Sequence, residues 1–417
     1  MNAWRIGYTV LLCALLPRAL WHLWWRGRRQ PEYLEHIAER FGRYEVRVEK
    51  PLIWVHGVSV GETRAAAPLI HALQSKYPWH RILLTHMTPT GRAAGAALFG
   101  DGSLRCYLPY DFPFAVGRFL AHFKPACGIL LETEIWPNLI HACRVRGIPI
   151  YLVNARLSEK SFRGYARFSA FAASCLRELD GVAAQSSADA ERLTALGARA
   201  VEVTGNLKFD ATPDAALVAQ GGAWRASWAR SRPVLLCAST REGEEALLLQ
   251  ALRQIDIPDL LTVIVPRHPQ RFDEVAALLE RAGIAYQRRS ADQPVASQTR
   301  IVLGDSMGEM VAYYAACDVA IIGGSLLPFG AQNLIEACAV GCPVIIGPHR
   351  FNFAEAAGLA VEAGAALTVA DAAGAVAAAH ELLVSPARAR RMGEAGRDFT
   401  RRHRGATART IALLKVN

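Results

Sequence analysis

The sequence predicts an α/β protein with two domains built on parallel sheets, preceded by a membrane-anchor helix. Three observations predict it. Short apolar runs rich in Val, Ile and Leu alternate with helix-like stretches, the pattern of parallel βαβ units covered by helices on both faces. The length, 417 residues, exceeds one ordinary domain and suggests two. Residues 6–25 are apolar, end in Trp21, Trp24 and Trp25, and run straight into Arg26, Arg28 and Arg29. Tryptophans at headgroup depth with arginines beyond them flank membrane segments.

The apolar stretch matches a span of about 20 residues, but Pro17, Arg18 and His22 interrupt it. A tilted span and an in-plane anchor are both open. No small-x-small cleavage site follows, which argues against a removed signal peptide. The arginines place the remaining chain on the cytoplasmic side of the inner membrane. Arg40, Arg43 and Arg47 extend this basic zone, where an anionic lipid headgroup can be held. The net charge of +10, from 47 Lys and Arg against 37 Asp and Glu, favours anionic partners such as phosphates and acidic membrane surfaces. No RNA-binding aromatic motif and no zinc-finger spacing occurs, so nucleic acid is not indicated. None of the nine cysteines forms a C-x-x-C pair, and most, such as Cys127, Cys237 and Cys317, lie in or beside apolar segments. They read as small core residues of a reducing compartment.

In the first series, strands are expected at 52–55, 82–85, 129–131, 150–153, 182–184 and 201–203, with helices such as 65–76 and 191–196 between them. Pro68 either kinks the first helix or marks its true start. The pattern loosens over 210–232, with Pro213, the Gly221-Gly222 pair and then Pro233. A boundary there gives an anchor at 1–30, a first domain at 31–212 and a second at 213–417. The second series has strands at 234–238, 261–265, 301–303, 319–322 and 344–346, an Ala-rich helix at 370–380 and a basic helical tail at 388–404. Two such domains opening their loops onto a shared central cleft resemble the two-domain sugar-nucleotide glycosyltransferases. A two-domain dehydrogenase would alternate similarly, but no G-x-G-x-x-G follows a strand.

Chemistry is expected at the carboxyl ends of the strands, where open α/β sheets bind ligands. Residues 52–62, LIWVHGVSVGE, read as a strand turning directly into a helix. Ser59 and Glu62 have capping-box spacing, so Glu62 is read equally well as a cap and as a functional carboxylate. Glu132 and Glu134 follow the next apolar strand; helix-dipole stabilisation is the plainer explanation, but function is favoured for Glu132. Arg156 adds a cation to the same edge, and Lys208 lies where the chain leaves the domain. In the second domain the loops carry Pro266 and Arg267, then Met307, Gly308 and Glu309, then Gly323-Gly324-Ser325 and finally Asn333, Leu334, Ile335 and Glu336. Ser306 and Glu309 repeat the capping-box spacing. A helix starting near Asn333 offers N–H groups to a phosphate, and Glu336 is placed to accept ribose hydroxyls. Each signal is weak singly; at successive strand ends of one domain they describe a nucleotide site.

The strings HGVSVGE, LLETEIWPNLI, NARLS, GNLKFD, STREGEE, VPRHPQRF, GDSMGEM, GGS and GPHRFNF occur in this order. With the WRGRRQPEY continuation of the anchor, they resemble the 3-deoxy-D-manno-octulosonic acid (Kdo) transferases of lipopolysaccharide synthesis over nearly the whole chain. The resemblance implies a GT-B fold of two Rossmann-like domains, CMP-Kdo as donor and an anionic lipid A precursor (lipid IVA) as acceptor. It implies Glu62 as proton acceptor, with Glu132 and Lys208 assisting the transition state. It also implies CMP contacts from Pro266 and Arg267, from Met307 to Glu309 and from Asn333 to Glu336. Two departures stand out: Arg241 where the family usually has His, and Gly330-Ala331-Gln332-Asn333 where it has a GGHN turn.

The residues suit that chemistry. A carboxylate takes the acceptor hydroxyl's proton as the glycosidic bond forms, and Lys208 and Arg267 stabilise the departing phosphate. Attack on the face opposite the leaving group inverts the sugar centre. No D-x-D-like strand end is present and the donor carries one phosphate, so neither a metal nor a cofactor is expected. The alternatives are another membrane-bound GT-B enzyme using a UDP-sugar, and a non-catalytic lipid- or nucleotide-binding module. Turnover with a donor panel separates them.

Overall fold

The computed structural model describes residues 3–228, 232–254 and 257–416. The chain divides into two compact units, residues 1–211 with 403–417, and residues 212–402. Each is built on a seven-stranded, fully parallel sheet.

The first unit's strands are β1 (Leu52–His56), β2 (Arg81–His86), β3 (Ser103–Tyr107), β4 (Cys127–Leu131), β5 (Ile150–Ala155), β6 (Gly181–Ala184) and β7 (Val201–Val203). Their order is β3-β2-β1-β4-β5-β6-β7. The interior strand β1 is buried on both faces, which is why it reads as an unbroken apolar run. Leu52 and Trp54 join one core layer with Phe119 and Leu120, whereas Ile53 and Val55 join the opposite layer with Leu69, Ile70 and Leu73. Pro68 marks a start: one helix covers Val60–Ala65 and the next, Ala67–Lys76, carries Pro68 in its first turn, where a missing N–H costs nothing.

The second unit contains β8 (Val234–Thr240), β9 (Leu261–Pro266), β10 (Tyr286–Arg288), β11 (Ile301–Leu303), β12 (Val319–Ile322), β13 (Val344–Ile346) and β14 (Ala366–Thr368). Their order is β10-β11-β9-β8-β12-β13-β14.

Two expectations about organisation change. The Gly221-Gly222 pair sits inside a continuous helix, Ala215–Trp228. A Cβ on Gly221 would lie 2.3 Å from the Ala312 carbonyl oxygen, so the glycine makes room for the crossing helix Met310–Ala316. The end of the chain, assigned above to the second domain, returns to the first unit. Helix Ala406–Leu413 and Leu414 cover the layer behind β1, contributing the buried Ala406 and Leu414. The Asp210 carboxylate fastens this return by accepting the N–H groups of Gly405 and Thr407 at 2.6 and 2.5 Å.

The N-terminal helix, Ala3–Gly27, is the one described helix long and apolar enough to cross a membrane.

Candidate active site

At the carboxyl ends of β1 and β4 the first unit gathers three glutamates, Glu62, Glu132 and Glu134. Ser59 caps the helix Val60–Ala65, its Oγ accepting the Glu62 N–H at 3.4 Å. The return bond of a capping box is made differently from the expected pattern. Glu62 Oε2 accepts the Val58 N–H at 2.8 Å, one residue earlier than Ser59, and Oε1 accepts the Ser59 hydroxyl at 2.9 Å. Both oxygens are thereby oriented. Burial raises the Glu62 pKa above the usual carboxylate range, and the nearby Glu132 charge raises it further. The Val58 N–H, Ser59 and Lys208 oppose that shift. A carboxylate that is half-buried, oriented and more basic than usual is suited to taking a proton.

Glu132 ends β4 in the left-handed region, φ 56°, a conformation uncommon for a residue with a side chain. Its carboxylate accepts from Lys208 Nζ at 3.4 Å and lies 3.8 Å from Arg156 Nη2. The sequence-predicted Glu62, Glu132 and Lys208 therefore converge on one mouth. Lys208 is held by its own backbone. Its N–H donates to Asn206 Oδ1, Asn206 Nδ2 donates to Gln185 Oε1, and the Leu207 N–H donates to Asn154 Oδ1. Asn154, buried and also left-handed at φ 54°, thus fixes the approach of the cation.

Function was favoured for Glu132 over Glu134, yet Glu134 belongs to the same cluster. Its pKa is pushed up to about 7, first by burial and then by the Glu62 charge. Trp136 Nε1–H donates to its Oε2 at 2.9 Å. His56 Nε2 lies 3.9 Å from that oxygen and has no hydrogen-bond partner among the described residues. The Thr85 carbonyl, which can only accept, sits 3.1 Å from His56 Nδ1 and places the ring proton there. Burial, reinforced by His86, lowers the His56 pKa to about 3, so the ring stays neutral. A neutral lone pair facing Glu134 offers no charge to stabilise its anion. The spacing of Glu134, two residues beyond Glu132, was the available signal, but a strand end does not announce which of two carboxylates turns inward.

The second unit brings its candidates to the ends of β8, β9, β11 and β12. Arg267 follows β9, and its Nε donates to Gln332 Oε1 at 3.1 Å. Gln332, one of the two departures noted above, acts here as an acceptor for that guanidinium. Arg241, the other departure, stacks 4.3 Å above the Phe329 ring and pairs with Glu242 at 3.0 Å. Pro266 is the last residue of its strand, and Met307 and Gly308 lie on an exposed turn.

Two expectations there are corrected. Ser306 does not cap a helix; its hydroxyl shares a hydrogen with Tyr313 at 2.8 Å. Glu309 stands at the N-cap position without capping, because its carboxylate is drawn to Gln220 at 2.8 Å and Arg289 at 3.2 Å. The helix near Asn333 covers only Ile335–Val340, and Asn333 Oδ1 already accepts its Ile335 N–H. Leu334 and Ile335 are buried core side chains, so only their backbone is available to a ligand. Glu336 accepts from Asn333 Nδ2 at 2.9 Å.

Glu244 was not singled out from the sequence. It is 0% exposed, and its carboxylate accepts the N–H groups of Arg241, Gly324 and Leu326 at 2.9, 2.6 and 3.0 Å. Gly324, at φ 68°, begins the turn that this carboxylate holds. Glu245 beside it accepts two bonds from Arg271, at 2.6 and 2.9 Å.

A family profile described as 3-deoxy-D-manno-octulosonic-acid transferase matches residues 35–211, and one for group 1 glycosyl transferases matches residues 246–399. The chain is 48% identical to a 3-deoxy-D-manno-octulosonic acid transferase of Bordetella pertussis, with 98% of each chain covered. It is 38% identical to the enzyme of the same description from Haemophilus influenzae, covering 99% of this chain and 98% of the other. A solved glycosyltransferase from Rickettsia africae superposes with a TM-score of 0.60 at 13% identity, over 88% of this chain and 98% of that one, a likeness of GT-B-type fold. With near-complete coverage by relatives of this identity, the chain belongs to the 3-deoxy-D-manno-octulosonic acid transferases, a glycosyltransferase family.

Proposed function

We propose that this chain transfers Kdo from CMP-Kdo to a hydroxyl of the lipid A precursor lipid IVA, with inversion at the sugar centre, release of CMP and Glu62 as general base. The observation that carries the reading is the state of Glu62. Burial raises its pKa, the Val58 N–H and the Ser59 hydroxyl orient its two oxygens, and the Lys208–Glu132 pair lies near enough to act on its charge. The acceptor hydroxyl's proton passes to Glu62 as the oxygen bonds to the anomeric carbon. The bond from that carbon to the CMP phosphate breaks, and the electron pair leaves with the phosphate. Lys208 supplies positive charge for that departure. The transfer runs without metal or cofactor, because one phosphate leaving group needs less neutralisation than a diphosphate. The enzyme works on the cytoplasmic side of the inner membrane, where anionic lipid and a soluble nucleotide donor meet.

The test uses the purified full chain, tetraacylated lipid A precursor and a panel of CMP-Kdo and UDP-sugars, with product mass as readout and one arm containing EDTA. A mass gain of one or more Kdo units from CMP-Kdo alone, insensitive to EDTA, is expected. Turnover of a UDP-sugar instead, or loss of activity with EDTA, overturns the donor or the metal-free step respectively.

A further inference from the structure

The N-terminal helix, Ala3–Gly27, spans 25 residues, about 37 Å at 1.5 Å per residue. That is long enough to cross a bilayer, whose hydrocarbon core is roughly 30 Å thick. Crossing would carry residues near its start to the opposite membrane surface. The contacts place them elsewhere. Arg5 is buried, with its guanidinium 3.7 Å from Glu178, and Glu178 also engages His141 at 3.0 Å. The Tyr8 ring lies 5.8 Å from Phe171. Asn138 Nδ2 donates to the Thr9 hydroxyl at 3.0 Å. All these partners belong to the body of the first unit, within or beside the helices Pro137–Val145 and Ser169–Leu176.

The far end of the helix packs on the chain that directly follows it. Leu23 and Gly27 are buried, and a Cβ on Gly27 would come within 2.4 Å of Leu34. The covered positions, Arg5, Tyr8, Thr9, Leu12, Leu16, Leu23 and Gly27, are separated by 3, 1, 3, 4, 7 and 4 residues, the spacing of one helix face. The N-terminal half of this face therefore lies against the body of the first unit.

We infer that this helix lies in the membrane plane, within one leaflet, and never crosses the bilayer. Its outward face carries the exposed Val10, Leu11, Leu15 and Trp21, interrupted by Arg18. The occupant of that face is an anionic phospholipid leaflet. Residues 3–31 contain Arg5, Arg18, Arg26, Arg28 and Arg29 and no Asp or Glu. The Arg28 and Arg29 guanidinium groups stack over Trp24 and Trp25 at 5.2 and 4.3 Å, setting aromatic rings and cations together at headgroup depth. Phe168, three residues before Phe171, is 63% exposed, and Lys160, Arg163 and Arg167 in the preceding segment are exposed, Arg163 pairing with Glu159 at 2.9 Å. A basic, aromatic surface next to a docked apolar helix matches an anionic leaflet in both charge and polarity.

The experiment places a short epitope at the N-terminus of the full chain and treats intact bacterial spheroplasts with protease. A helix in the inner leaflet keeps the epitope shielded until the cells are lysed. In parallel, Thr9→Cys with Asn138→Cys is oxidised in isolated membranes, and a cross-link within the chain is expected. The inference falls if the epitope is cut in intact spheroplasts, which is the behaviour of a crossing helix. It falls equally if the cysteine pair does not link, since the helix is then undocked. Recovery of the chain as a soluble oligomer also overturns it, because a second copy would then cover the apolar face.

Discussion

β1 and β8 hold the same place in their sheets, each lying between the second strand of its own series and a later one, and each turning into a helix that opens with a glutamate. In the first unit that glutamate is Glu62, half-buried, with its two oxygens engaged by one backbone N–H and one hydroxyl. In the second it is Glu244, fully buried, with three backbone N–H groups at 3.0 Å or less. Surroundings separate them. A carboxylate that accepts several backbone N–H groups at once holds a loop in shape. A carboxylate with fewer donors, beside other carboxylates and within reach of a lysine, keeps a proton affinity that chemistry can use. The spacing of the two motifs does not distinguish a base from a scaffold; the number and type of donors does.

The largest effect is expected at Glu62. Glu62→Gln keeps an oxygen for the Val58 N–H and an amide that can donate to Ser59, so melting and CMP binding should stay near those of the parent. The amide cannot take a proton, and transfer should fall roughly 10²–10⁴-fold. Single-turnover transfer measured beside thermal melting checks both halves. A variant that retains its turnover would put Glu62 in the same class as Glu244.

Glu244→Ala should invert that result. Three N–H groups lose their acceptor inside the fold, and charge-assisted bonds of this kind contribute roughly 1.5–3 kcal/mol each. Allowing for water entering the space, a loss of about 3 kcal/mol is expected in urea unfolding of the full chain. An unchanged unfolding midpoint would show that the Gly324 turn does not depend on this carboxylate.

A third test concerns Glu134, which shares features of both. Its folded pKa, about 7, lies above the 4.5 of an ordinary glutamate. A carboxyl of this kind binds its proton more tightly in the fold than in the unfolded chain. Its contribution is therefore fully present below pH 4.5 and is lost as pH rises through about 7. The slope reaches at most about 1.4 kcal/mol per pH unit. Subtracting the Glu134→Gln stability curve from the parent's should leave a decline across that window. Parallel curves would mean that Glu134 titrates alike in the folded and unfolded chain, despite its burial.

Most of the fold was legible because buried parallel strands are apolar runs. The strands that were not foreseen, β3, β10 and β14, are all edge strands. Their sequences SLRCY, YQR and ALT face water or loops on one side and lack the apolar signature. The return of residues 403–417 was illegible for another reason. It rests on Asp210 and on the Tyr151 hydroxyl, which accepts the Lys415 N–H at 3.0 Å, and such long-range partners leave no periodicity. In the first unit, strand-end position pointed to Glu62 and Glu132, and the exit of the chain from the domain pointed to Lys208; the three lie close together. Glu134, His56 and the Asn154–Gln185–Asn206 support were not, because inward turning depends on backbone angles and neighbours. In the second unit, strand-end position located the loops but could not show that Glu309 and Asn333 already hold partners.

The smallest effect separates the two units by their strained backbones. Glu132 and Asn154 take positive φ in the first unit, and Ser239 and Ala331 do so in the second. At Glu132 and Asn154 the side chain has work at the site, engaging Lys208 or the Leu207 N–H, so replacement by glycine would remove that contact together with the strain. Ala331 has no such compensation. It is buried at φ 67°, its N–H donates to the Gly324 carbonyl at 2.7 Å, and its methyl carries no polar contact. A left-handed alanine costs roughly 1–2 kcal/mol, whereas glycine there gives back roughly 0.5–1 kcal/mol in unfolded-chain entropy. Ala331→Gly should therefore stabilise the full chain by about 0.5 kcal/mol, read as a small upward shift of the urea midpoint. The hydrogen bond to Gly324 needs only the backbone, so the turn and CMP affinity should be unchanged. A destabilised variant would mean that the methyl's packing outweighs the backbone strain, and that the second unit, like the first, holds its left-handed residue for the sake of its side chain.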